Sequence, residues 1–87
     1  MMIRSFLPVG QGAFYCEQFG GFAETERVNI IYDCGSSTNV KLVEEQIKNN
    51  FQKNEIIHAV FISHLDNDHI NGIPFLLKYC KVKKIFF

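Results

Sequence analysis

The sequence predicts an α/β-class domain with a mixed sheet, an antiparallel meander followed by a β-α-β-α-β segment. Three observations predict it. Short apolar runs near the start are punctuated by glycine-rich turns; the apolar spacing then becomes helical from Val40; and two later apolar runs flank a second helical stretch. No repeat, low-complexity tract or linker-like shift interrupts the 87 residues, so residues 1–87 read as a single unit.

Taken in order, Ile3–Val9 is apolar and stops at Gly10-Gln11-Gly12. Ala13–Phe19 resumes and stops at Gly20-Gly21, and Val28–Tyr32 is broken by Asp33-Cys34-Gly35-Ser36-Ser37. Val40, Val43, Ile47 and Phe51 then recur at helical spacing, with Lys41, Glu44, Glu45 and Lys48 on the opposite face. Thr38 or Asn39 suits the cap, and Asn49-Asn50 the end. Ile56–Ile62 is apolar apart from His58, as expected of a central strand covered on both faces. Ile73–Tyr79 is led by Pro74, which fits the first turn of a helix. Val82–Phe87 reads as a last strand.

Composition bounds the function. At 47% hydrophobic and 21% charged, the chain is built to bury a core and is not a disordered segment. Nine basic against nine acidic residues remove the global attraction that nucleic-acid binders usually show, though a local patch survives such averaging. Lys78, Lys81, Lys83 and Lys84 form one such patch; a solvated edge that discourages strand pairing is its ordinary reading, and a phosphate contact the alternative. No apolar run approaches the ~20 residues of a membrane span, and no secretory leader is expected. Cys16, Cys34 and Cys80 are odd in number and widely spaced, so free buried thiols and a cytoplasmic location are expected. His58, inside a strand, reads as a hydrogen-bonded core histidine.

The chemistry sits just past the run at Ile56–Ile62, in Ser63-His64-Leu65-Asp66-Asn67-Asp68-His69-Ile70-Asn71-Gly72. Imidazole nitrogen and carboxylate oxygen are the donors that zinc, manganese or iron accept. An i, i+2 pair on extended backbone can aim both side chains one way, so His64 and Asp66 can share a metal. Asp68 and His69 diverge unless the chain turns into a helix there, in which case they can serve a second metal. The competing explanation is structural: Asp68 or Asn71 caps the helix at Ile73–Tyr79, and the histidines are polar surface. A histidine on each flank, directly after a buried strand, favours the metal.

The segment from Phe61 to Ile73 resembles the metal-binding signature of the metallo-β-lactamase-fold hydrolases, His-x-(His/Asp)-x-Asp-His followed by Gly. Val9-Gly10-Gln11-Gly12 resembles the turn between that family's first two strands, and Asn29–Gly35 its strand ending in Asp-x-Gly. The nearest branch by these motifs is that of the competence-type DNA-uptake proteins. Ala13 departs from it, standing where that branch often has Asp.

The resemblance implies the N-terminal half of a four-layer αββα sandwich. It makes His64 and Asp66 ligands of one metal and Asp68 and His69 ligands of another. Asp33 becomes a carboxylate holding the histidine loop. It further implies a metal-bound hydroxide that attacks an ester or phosphodiester, with Asp68 as the catalytic group that orients it. Zinc is the implied cofactor, and Asp66 in place of a histidine admits manganese and favours a phosphodiester or nucleic acid substrate over a small-molecule ester. The family's later ligands have no counterpart, since neither His nor Asp occurs after His69. The chain is therefore expected to be a fragment, completed by a missing C-terminal half or by self-association. Two further readings stand beside this one: a catalytically silent module that binds through an uncovered sheet face, and, last, an oxygen-reactive di-iron site, whose branch usually has Glu at the position of Asp66.

Overall fold

The computed structural model describes residues 2–20 and 27–87. Gly21 of the expected Gly20-Gly21 turn lies outside them. Strands β1 (Met2–Phe6), β2 (Gly12–Gly20) and β3 (Arg27–Ser36) form the expected antiparallel meander, pairing in that order. Helix α1 (Val40–Asn50) returns the chain to β5 (Ala59–Phe61), which pairs parallel to β3, after the short strand β4 (Ile56–Ile57). Helices α2 (Asn67–Ile70) and α3 (Ile73–Tyr79) lead to β6 (Lys81–Val82) and β7 (Ile85–Phe86). The main sheet runs β1-β2-β3-β5-β7; β4 and β6 form a parallel pair of their own. This is the mixed α/β architecture expected.

Helices α1 and α3 form where their apolar residues predict. Asn39 caps α1, its side chain accepting from Lys41 N–H, while Val43 and Ile47 are buried. Pro74 lies in the first turn of α3, which buries Leu76. These side chains meet Phe14, Cys16, Ile31, Cys34, Ile57 and Val60 in one core on the helical face of the sheet. All three thiols are free and buried, as expected. Among the described residues no helix is long and apolar enough to cross a membrane.

Three expectations fail in instructive ways. Val28–Tyr32 does not end at Asp33; β3 continues to Ser36 through a bulge. The run Ile56–Ile62 is not one strand, because His58 stands at the break between β4 and β5. There its backbone N–H donates to Asn29 O at 2.8 Å, while its ring Nδ1 accepts from Asn29 N–H at 3.1 Å. Nor is that run covered on both faces: β5 is an inner strand between β3 and β7, but Ile56 is exposed. The expected strand at Val82–Phe87 is likewise divided between β6 and β7.

The face away from the helices carries an aromatic row crossing the whole sheet: Phe6, Tyr15, Tyr32, Phe61 and Phe86. Successive ring centroids are 4.6, 5.6, 5.2 and 4.9 Å apart. Phe6, Tyr32 and Phe86 are exposed. The apolar composition that made Ile56–Ile62 look doubly buried is real, but only its helical side is covered.

Candidate metal centre

The site begins with an extra residue in β3. Tyr15 pairs with Tyr32 and Phe14 with Cys34, so Asp33 is left over as a bulge. Its φ of 59° lies in the left-handed region, which Asp tolerates better than most residues. Bulges of this kind re-aim a side chain beside a functional site. Here the Asp33 carboxylate, largely buried, reaches the loop after β5. Oδ1 accepts from Ser63 N–H at 2.8 Å, and Oδ2 from the Ser63 hydroxyl at 2.5 Å. Oδ2 also lies 3.0 Å from His69 Nδ1. Burial works against the charged carboxylate, yet the Ser63 hydroxyl and N–H together with His69 hold its pKa below the ordinary value. The same contact from Asp33 raises the pKa of His69.

Helix α2 brings Asp68 and His69 to one side of this carboxylate, supplying the turn that adjacent ligands require. Asp68 Oδ1 lies 3.9 Å from His69 Nε2, the ring nitrogen that Asp33 leaves free. Donors on a tetrahedral zinc stand about 3.3 Å apart, so a modest closure lets both reach one ion. The rings of His64 and His69 are 5.2 Å apart. His64 and Asp66 are exposed on the loop, and His64 Nδ1 lies 3.1 Å from Ser63 Oγ.

The capping explanation of this loop does not describe it. Asp66 is the N-cap of α2 but makes no side-chain cap bond, and Gly72 holds that position for α3. Asn71 instead bridges to β3: its amide donates to Ser36 O at 2.6 Å, and its Oδ1 accepts from Ser36 N–H at 2.9 Å.

Two glycines allow α2 to sit this low. A Cβ on Gly35 would lie 2.7 Å from the Asp68 carbonyl, and one on Gly12 would lie 3.0 Å from the Asp68 oxygen. The Asp-x-Gly and Gly-Gln-Gly segments thus have a common physical purpose. Asp33 ties the loop down, and Gly35 and Gly12 give it space.

The donors suit a divalent cation by type and fall short by number. Among the described residues no group of three or more His, Cys, Asp or Glu side chains is gathered to hold a metal ion. Asp68 and His69 are a two-donor set; the His64 ring approaches His69, while the Asp66 side chain stands exposed on the loop. Cys34 is no further candidate, since it is fully buried and its burial drives the thiol pKa upward. Ser63 and Asn71 were missed as site residues because their partners lie 30 and 35 positions away in the chain. A hydroxyl directly before the first histidine was the one local signal.

A cavity of about 680 Å³ adjoins the site, lined in part by Phe6, Tyr15, Tyr32 and Asp33. A second of about 330 Å³ lies around Arg27, Glu55 and His58.

Comparison with known proteins places the chain in a family. The chain is 39% identical over 57 residues to ribonuclease Z of Ignicoccus hospitalis, covering 66% of this chain and 17% of that protein. It is 34% identical over 74 residues to ribonuclease Z of Sulfolobus acidocaldarius, covering 84% and 24%. It thus spans less than a quarter of the length of these relatives. The fold matches the metallo-beta-lactamase SMB-1, solved in a complex with mercaptoacetic acid, with a TM-score of 0.58 at 17% identity. That match covers 93% of this chain and 29% of the other. The family model for the Metallo-beta-lactamase superfamily matches residues 18–85, and the chain belongs to that superfamily.

Proposed function

We propose that residues 1–87 are the metal-binding N-terminal part of a single hydrolase domain whose substrate is a nucleic-acid phosphodiester. The observation that carries this reading is the His69 ring, fastened through Nδ1 to Asp33 with Nε2 turned towards Asp68. An imidazole oriented by a carboxylate through its other nitrogen is the usual arrangement of a metal-ligating histidine.

His69 and Asp68 would hold one divalent cation, and His64 and Asp66 a second. Zinc suits the imidazoles; the two carboxylates also suit manganese. Such a cation lowers the pKa of a bound water from about 15.7 towards about 7. Asp68, half-buried beside His69 Nε2, would orient that water and accept its proton at a carboxylate oxygen. Asp33 and Asn71 hold the loop against β3 while this happens.

The substrate class draws support from the relatives, both ribonucleases Z, and from the anionic Asp66. A competence-type assignment rests on the sequence motifs around Asp66, and both branches point to nucleic acid. The buried free thiols suit a reducing compartment such as the cytoplasm.

Titration of the metal-free chain with zinc and manganese against a chromogenic chelator tests the reading. Binding that is at least tenfold weaker in His69→Ala and in Asp68→Asn supports it. A chain that takes up neither metal, or binds as well without those side chains, refutes it.

A second reading is favoured by the aromatic row, a broad apolar face left open by the described residues. On it the chain is a catalytically silent module that associates through this face with a second copy. Light scattering after size exclusion decides between association and a monomer that persists at high concentration.

A further inference from the structure

Ser63 stands between the Asp33 carboxylate and the first histidine of the loop. Its hydroxyl has one proton, and the 2.5 Å contact with Asp33 Oδ2 uses it. At 3.1 Å from His64 Nδ1, the same oxygen has only lone pairs left to offer. His64 must therefore carry its proton on Nδ1 and leave Nε2 bare. His69 is placed alike, because Asp33 Oδ2 accepts from its Nδ1 directly at 3.0 Å.

We propose that Ser63 is a positioning residue that relays Asp33 to His64 and sets that ring in the Nδ1–H tautomer, so that one buried carboxylate leaves two Nε2 atoms bare, one for each divalent cation. The purpose assigned to this tautomer rests on the proposed metal-binding function; the tautomer itself follows from the hydrogen bonds. It is the form opposite to the Nε2–H tautomer that histidine favours in water, so something must impose it. The third histidine supplies an internal contrast. His58 accepts at Nδ1 from Asn29 N–H, which requires the Nε2–H form.

The test is a long-range ¹H–¹⁵N correlation spectrum of the metal-free chain, at a pH above the imidazole titrations, with signals assigned by single His→Gln variants. The expected pattern is Nδ1–H for His64 and His69 and Nε2–H for His58. Ser63→Ala should return His64 alone to Nε2–H, and Ser63→Thr, which keeps the hydroxyl, should not. Zinc affinity should fall about 10-fold or more in Ser63→Ala and recover in Ser63→Thr. An Nε2–H His64 in the native chain overturns the proposal, whether or not any variant folds. An Nδ1–H His64 that persists in Ser63→Ala overturns it as well. The expected tautomers and variant response in a chain that binds neither zinc nor manganese would leave the relay standing and remove the metal-binding function.

Discussion

Replacing Gly35 by alanine tests the close approach on which the site depends. Its φ is not in the left-handed region, so the new methyl acts through contact alone. That methyl would lie 2.7 Å from the carbonyl carbon and oxygen of Asp68 and 2.8 Å from Ile70 N. All of these are backbone atoms and cannot rotate away. Ordinary contact begins near 3.4 Å, so α2 must rise by about 0.7 Å. The same shift along the 3.0 Å contact between His69 and Asp33 carries it beyond hydrogen-bonding distance. Overpacking of this kind costs about 1–3 kcal/mol, and the loosened hydrogen bond adds roughly 1 kcal/mol. A destabilisation of about 2–4 kcal/mol should move the urea midpoint down by about 1–2 M with the slope unchanged. The His69 ring signals should shift in the same variant. Native stability together with native His69 signals would refute the account of Gly35 as the seat of α2.

Arg27 grips the buried Glu55 through both Nε and Nη2; Arg27→Ala leaves that charge to Asn29 and the Gln52 N–H, at a cost of about 3 kcal/mol in urea unfolding. Asn39→Ala removes the α1 cap and should cost about 1 kcal/mol by the same measurement. Burial pushes the thiols of Cys16 and Cys80 from 9.0 up to about 11. The unfolded chain releases those protons first, so stability should be intact below about pH 9 and fall steadily towards pH 11. Urea melts across that range check the sign, and Cys16→Ala should flatten the decline.

The parts of the fold legible in the sequence are those set by local periodicity. Val43, Ile47 and Leu76 mark the buried sides of α1 and α3, and Pro74 marks the first turn of α3. The ends of β3 and β5 were not legible, because their limits are set by partners. Asp33-Cys34-Gly35 has the composition of a turn, but β2 continues alongside and pairs with Cys34, Gly35 and Ser36. Ile56–Ile62 looks uniform until Asn29 engages His58 at both backbone and ring. In the site, donor chemistry was readable from His64 to His69. What orients those donors was partly hidden, since Ser63 and Asn71 act on residues of β3 far away in sequence.

The leftover position in β3 has a further meaning. Without Asp33, Tyr32 and Cys34 would adjoin opposite Tyr15 and Phe14, and the two strands would run with no interruption. Backbone pairing alone therefore gives no reason to retain it. A one-residue deletion there should yield a flatter, better-matched hairpin whose histidines have lost their anchor, a sheet improved as a sheet and deprived of its hold on the loop.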